Sequence, residues 1–210
     1  MKASLVEHLA FADLEIRSSL EAAEVEFEYE LYAKGVDLEK LKEMATSVED
    51  QVQWGIAVEK SDKNGGSGSI RVRKTVRDGE EEYTLTVKTQ HREKGRIETS
   101  ATVDKDMFEQ FETLAKDGLI KTRYKVPYDH PDHGELELDV DVFSNSKGET
   151  VEWIKIDAEL PEGSDFKIDY LPFEIGEHLI TYPGNDNKQT KELIAELYKK
   201  YFRSETKYAA

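Results

Sequence analysis

The stretch "GELELDVDVF", Gly134 to Phe143, places a carboxylate at every second position. Glu135, Glu137, Asp139 and Asp141 alternate with Leu136, Leu138, Val140 and Val142. Successive side chains of an extended chain point to opposite faces, so the stretch predicts a strand with one acidic and one apolar face. Just before it, "LIKTRYKVPY", 119 to 128, alternates in the same way with Lys121, Arg123 and Lys125 on its polar side.

The pattern repeats along the chain. "EVEFEYEL", Glu24 to Leu31, sets Glu24, Glu26, Glu28 and Glu30 against Val25, Phe27, Tyr29 and Leu31. "SIRVRKTV" carries Arg71 and Arg73, "EEYTLTVKTQ" carries Thr84, Thr86 and Lys88, and "VEWIKIDAEL" carries Lys155, Asp157 and Glu159. "VQWGIAVEK" and "RIETSATV" complete the set of predicted strands. Apolar residues at three- and four-residue spacing predict helices at 4–22, 37–49 and 187–203, and a fourth at 104–117 is ended by Gly118.

An antiparallel sheet with one face in water shows polar residues of mixed sign on that face. Here the sign sorts by strand, and neighbouring like-charged strands on a flat sheet cost stability. The charges are therefore expected to converge across a hollow. A barrel of about eight strands encloses room for one small ligand. The expected fold is α+β: a closed or nearly closed antiparallel β-barrel with a polar tunnel interior and helices packed outside. Residues 1–22 form a helical extension and 23–203 the barrel domain.

The chain has 210 residues and a formal net charge of −16, which argues against general nucleic-acid or membrane-surface binding. It has no cysteine, which removes disulfides, thiolate catalysis and cysteine zinc sites and fits a reducing compartment. No apolar run approaches the roughly 18 residues of a membrane span, and acids interrupt the N-terminal apolar stretch. A cytoplasmic location is expected.

The order of these strands resembles the CYTH superfamily, the triphosphate tunnel metalloenzymes. "EVEFE" sits where that family has E-x-E-x-K, and "RVR" at 71–73 resembles its paired-arginine strand. "YTLTVK" at 83–88, "KTRY" at 121–124, "DVDVF" at 139–143 and "IDAELP" at 156–161 resemble its later strands. The resemblance covers about residues 23 to 190. It implies metal-dependent hydrolysis of a triphosphate-bearing compound (tripolyphosphate, or a nucleoside or thiamine triphosphate) with Mg2+ or Mn2+. By position it implies Glu24, Glu26, Asp139, Asp141, Asp157 and Glu159 as metal ligands, with Glu24, Glu26 and Glu159 as the catalytic set. Hard divalent ions take such oxygen ligands. It implies Arg71, Arg73, Lys88, Lys121 and Arg123 as the phosphate grip, since both cations suit phosphate. Glu98 is expected to order these basic side chains.

One departure stands out: Glu28 occupies the place of the signature lysine. Lys125 or Lys155 would have to compensate for it. The departure favours an alternative, a non-catalytic binder of a phosphorylated ligand or a regulatory protein on the same barrel; adenylyl cyclase is a third reading. The helix at 4–22 lies outside the resemblance and is expected to cover the barrel or to make a homodimer contact.

The remaining signals are weaker. "NGGSGS" lacks the Gly-Lys-Ser/Thr of a phosphate-binding loop and reads as a hairpin turn. His130 and His133, with Asp129 and Asp132, form a set that suits a transition metal, but Pro131 and Gly134 mark a turn and favour a solvated loop. Trp54 and Trp153 read as packing residues.

Overall fold

The computed structural model describes residues 27–58, 67–91, 95–115, 117–145, 148–161, 164 and 166–182. Nine strands run through them: β1 (Phe27–Ala33), β2 (Ser47–Val58), β3 (Ser67–Arg77), β4 (Glu80–His91), β5 (Gly95–Thr102), β6 (Asp117–His130), β7 (Gly134–Ser144), β8 (Thr150–Leu160) and β9 (His178–Tyr182). Two α-helices interrupt them, α1 (Leu38–Met44) and α2 (Lys105–Leu114), and a 3-10 turn, Ile168–Tyr170, precedes β9. The strands form one sheet in the order β5-β4-β3-β2-β6-β7-β8-β1-β9. Every described pairing is antiparallel. The antiparallel α+β sheet matches the expectation. Closure does not follow from it: among the described residues the edge strands β5 and β9 are not hydrogen-bonded to each other. The expected helices at 4–22 and 187–203 lie outside the described residues.

Local chemistry sets the element ends. The Asp37 side chain accepts from the backbone N–H of Glu39 at 3.1 Å and of Lys40 at 3.2 Å, capping α1. That helix stops at Met44, short of the expected end at residue 49. Thr46 donates its backbone N–H to the Lys125 carbonyl at 2.9 Å, and from Ser47 onward the chain is drawn into pairing with β6. Asp104 caps α2 through the Met107 N–H at 2.7 Å. Between β3 and β4, Asp78 and Gly79 both have positive φ, 53° and 83°, and Arg77 pairs with Glu80. This is the two-residue turn whose twist suits a hairpin, and Asp-Gly is a preferred sequence for it.

The apolar faces pack outward under the helices. Leu31, Val126, Leu138, Val140, Ile154, Ile156 and Leu160 form one buried cluster with Leu41 of α1, closed off by Phe166 and Phe173. Val72, Tyr83 and Phe108 of α2 form another, with the Tyr83 and Phe108 rings 5.3 Å apart. The helices therefore cover the apolar side of the sheet, and the charged side is the opposite face.

Gly118 does not end a helix as expected. It lies in β6, opposite Trp54 of β2, and a Cβ there would overlap the Trp54 indole. Gly118→Ala should cost about 1–3 kcal/mol by overpacking. Urea denaturation checks this, and the added change Trp54→Leu should recover most of the loss.

Candidate functional site

Each described residue of the expected site lies on one strand face. From β3 come Arg71 and Arg73, from β4 Lys88, from β6 Lys121 and Arg123, from β7 Asp139 and Asp141, and from β8 Asp157 and Glu159. Glu24 and Glu26 lie outside the described residues. Glu28 pairs in register with Glu159, and Glu30 with Asp157. Much of this face is out of water. Lys121 is 5 % exposed, Asp141 1 %, Asp157 7 %, Glu49 4 % and Gln51 1 %. A sheet face turned to solvent does not bury ions to this degree, so the face is shielded.

Charges alternate across the strands at the level of Arg123. Glu49, Arg123, Asp141 and Lys155 are successive cross-strand partners on β2, β6, β7 and β8. Arg123 grips Asp141 with two donors, Nε to Oδ1 at 2.7 Å and Nη2 to Oδ2 at 2.9 Å, and its Nη1 donates to Asp139. Lys121 also donates to Oδ2 of Asp141. Burial would raise the Asp141 carboxyl, but the charges of Lys121 and Arg123 overcome this and hold it well below the usual carboxylate range. Burial lowers Lys121, with Asp141 opposing and Arg123 and Arg73 adding to the fall.

One level along, the signs gather. Lys125, Asp139, Asp157 and Glu30 succeed one another on β6, β7, β8 and β1. Three neighbouring carboxylates repel, and protein cations offset them. Lys155 lies 2.6 Å from Glu30 and 2.8 Å from Asp157. Arg123 lies 3.9 Å from Asp157, and Lys125 lies 2.7 Å from Glu137 and 3.7 Å from Asp139. Burial acts to lower Lys155, yet Asp157 and Glu30 lift it above its ordinary value.

The β3–β5 side is built differently. Glu98 meets Arg71 at 3.4 Å and Lys88 at 2.5 Å. Arg71 also donates to the Thr86 hydroxyl at 3.4 Å, and Thr86 and Ser100 share a hydrogen bond of 2.9 Å. Arg73 stands apart. Its Nη2 donates to Gln53 Oε1 at 3.3 Å, and its Nε is buried without a hydrogen-bond partner. Among the described residues no carboxylate lies within ion-pair distance of it. Burial, then Arg71 and Arg123, pull it down to about 10 against the opposing charges of Asp141 and Glu49, so it remains charged at neutral pH.

Several participants are not legible in the sequence. Glu49 and Gln51 belong to the shielded face, with Gln51 donating to Glu49 at 2.8 Å and Arg77 on its other side. They are hidden because residues up to 49 read as helix and the next strand reads only from Val52. Tyr32, Leu119, Phe143, Val151 and Trp153 form a buried apolar cluster. By register Tyr32 pairs with Lys155 and Phe143 with Lys121, so aromatic residues end the charged rows. The signal is present where the charge alternation of "DVDVF" gives way to phenylalanine. His130 is buried, not solvated as expected: it is 1 % exposed and stacks near His133 and Tyr170, with ring centroids 4.7 and 5.3 Å away.

The carboxylates suit Mg2+ or Mn2+ in kind, being hard oxygen donors. Among the described residues no three acidic or histidine groups come together as a metal cluster, and Glu24 and Glu26 lie outside those residues. Asp139, Asp141 and Asp157 each meet lysine or arginine instead.

No family model matches the sequence, and neither does any curated protein. Among solved structures, PH1819 from Pyrococcus horikoshii OT3 is similar at 19 % identity and a TM-score of 0.39, covering 84 % of this chain and 93 % of its own. HpAC1 from Hippeastrum, a candidate adenylyl cyclase described as having a dominant triphosphatase activity, matches at 12 % identity and a TM-score of 0.41, covering 88 % and 93 %. A candidate adenylate cyclase, bh2851 from Bacillus halodurans, matches at 14 % and 0.37, covering 83 % and 89 %. Among the described residues no helix is long and apolar enough to cross a membrane.

Asp141→Asn should cost about 3–5 kcal/mol, because it leaves Lys121 and Arg123 buried beside a neutral group. The pH dependence has a definite sign. The Asp141 pKa is depressed, so its contribution is complete above the unfolded value of about 3.9 and is lost as pH falls below it. Denaturation curves from pH 7 down to 3 should show the wild-type chain losing stability more steeply than the Asp141→Asn variant.

Proposed function

We propose that the shielded face binds the phosphate chain of a triphosphate-bearing small molecule: tripolyphosphate, or a nucleoside or thiamine triphosphate. The observation that carries this reading is Arg73, a partly buried guanidinium whose Nε has no hydrogen-bond partner and which has no carboxylate within ion-pair distance among the described residues, Asp141 and Glu49 acting on it only from further off. A buried charge is costly unless paired and hydrogen-bonded, and phosphate offers the forked acceptor that guanidinium matches. Arg71, Lys121 and Arg123 are close enough to Arg73 to perturb one another's charge, which supports one converging basic patch. Lys88 extends that patch along β4.

The CYTH resemblance adds a reaction, hydrolysis of the terminal phosphoanhydride bond with Mg2+ or Mn2+. On this reading Glu24, Glu26 and Glu159, with Asp139, Asp141 and Asp157, are the candidate ligands. The described members of that set form no metal cluster, so no catalytic step is drawn through a metal. A second reading, binding without turnover, is favoured by the same fact: the central aspartates already hold protein cations.

Calorimetry with tripolyphosphate, ATP and thiamine triphosphate tests the binding. At least one should bind, and Arg73→Gln should weaken it by about tenfold or more, the effect of losing a charged hydrogen bond. Phosphate release with Mg2+ or Mn2+ decides for hydrolysis, and cyclic AMP with pyrophosphate from ATP decides for a cyclase. Tight binding with no product leaves the binder. No heat from any of the three compounds overturns the proposal.

A further inference from the structure

The acids of this face are neutralised from within the protein. Asp141 meets Lys121 and Arg123, Asp139 meets Arg123 and Lys125, and Asp157 meets Lys155 and Arg123. Glu30 meets Lys155, Glu98 meets Arg71 and Lys88, and Glu49 meets Arg77. In phosphoryl-transfer sites generally, a divalent ion bridges the phosphates and neutralises their charge. Here lysine and arginine already screen the carboxylates, and an entering ion would have to displace them. Arg73 presents a different situation: among the described residues it hydrogen-bonds an amide and has no acid within ion-pair distance, Asp141 and Glu49 reaching it only from further off. Hydroxyls of Thr86 and Ser100 lie on the flanking strands, in register with Arg71.

We infer that the phosphate chain docks at Arg73, beside Arg71, Lys121 and Arg123, without a divalent ion, so that anion binding and metal binding are separable in this chain. The inference rests on the proposed triphosphate ligand and adds the order of assembly. The anion is held first by protein cations, and a metal is needed at most for a later chemical step.

Calorimetric titration of the full chain with sodium tripolyphosphate tests it, once in EDTA and once in saturating Mg2+. Affinity in EDTA should stay within about threefold of that in Mg2+. In EDTA, Arg73→Gln should lose about tenfold or more, and Arg73→Lys should recover part of that loss. The wild-type comparison stands even if a variant fails to fold. Binding in Mg2+ that disappears in EDTA overturns the inference and leaves the triphosphate reading in place. Binding in neither condition removes this ligand and the inference together.

Discussion

Everything in this sheet depends on keeping a charged strand face out of water. The Lys121–Asp141–Arg123 contact makes that tolerable. It lies within the β6–β7 hairpin, with strands β2 to β5 to one side and β8, β1 and β9 to the other. Removing ions from water costs several kcal/mol each, and only close geometry with further hydrogen bonds offsets it. Two donors from Arg123 and one from Lys121 hold Asp141, and Arg123 reaches on to Asp139. The apolar undersides of the same strands supply the burial that holds the element together, each buried aliphatic side chain contributing roughly 1.5–3 kcal/mol. The network therefore fixes the register that the apolar face stabilises, since a one-residue slip would put both sets on the wrong side.

The alternation of "KTRYKV" against "ELELDVDV" is enough to read this hairpin, its faces and its antiparallel partner. What the pattern cannot give is the neighbour across the chain. Sorting of charge by strand looks like convergence over a hollow. At β6 and β7 it is also direct pairing: a basic strand lies beside an acidic one, and opposite charges face each other at Arg123–Asp141 and Lys125–Asp139. Such pairs stabilise a sheet whether or not it closes. Like charges also meet on adjacent strands: Asp139, Asp157 and Glu30 lie in one row, with Lys155 and Arg123 between them.

The misreadings have local causes. "TSVEDQ" comes after a well-capped helix and carries acids at helical as well as strand spacing, so periodicity alone extends the helix over it. Pairing with Lys125, far along the chain, decides otherwise. Gly118 looks like a helix stop because glycine often is one. Its reason is the Trp54 ring on the next strand, a contact no local pattern contains. His130 obeys the same rule: a Pro-Gly turn suggests solvent, while Tyr170, distant in sequence, covers it.

The overall charge sharpens the view of what such a face can hold. A net charge of −16 repels any polyanion that must lie along the outer surface. At physiological salt that repulsion fades beyond about 8 Å, so a short anion reaching a recessed patch is judged by the patch rather than by the whole molecule. Within the patch most cations are occupied by aspartate or glutamate, which makes the face nearly neutral and limits long-range attraction. Selection then falls to directed donors: the Arg73 guanidinium, with Arg71 and the Thr86 hydroxyl nearby. On the proposed reading, an acidic molecule with a half-buried guanidinium on this face favours a small, compact anion over an extended one, and phosphate groups carried on a small molecule would meet that description.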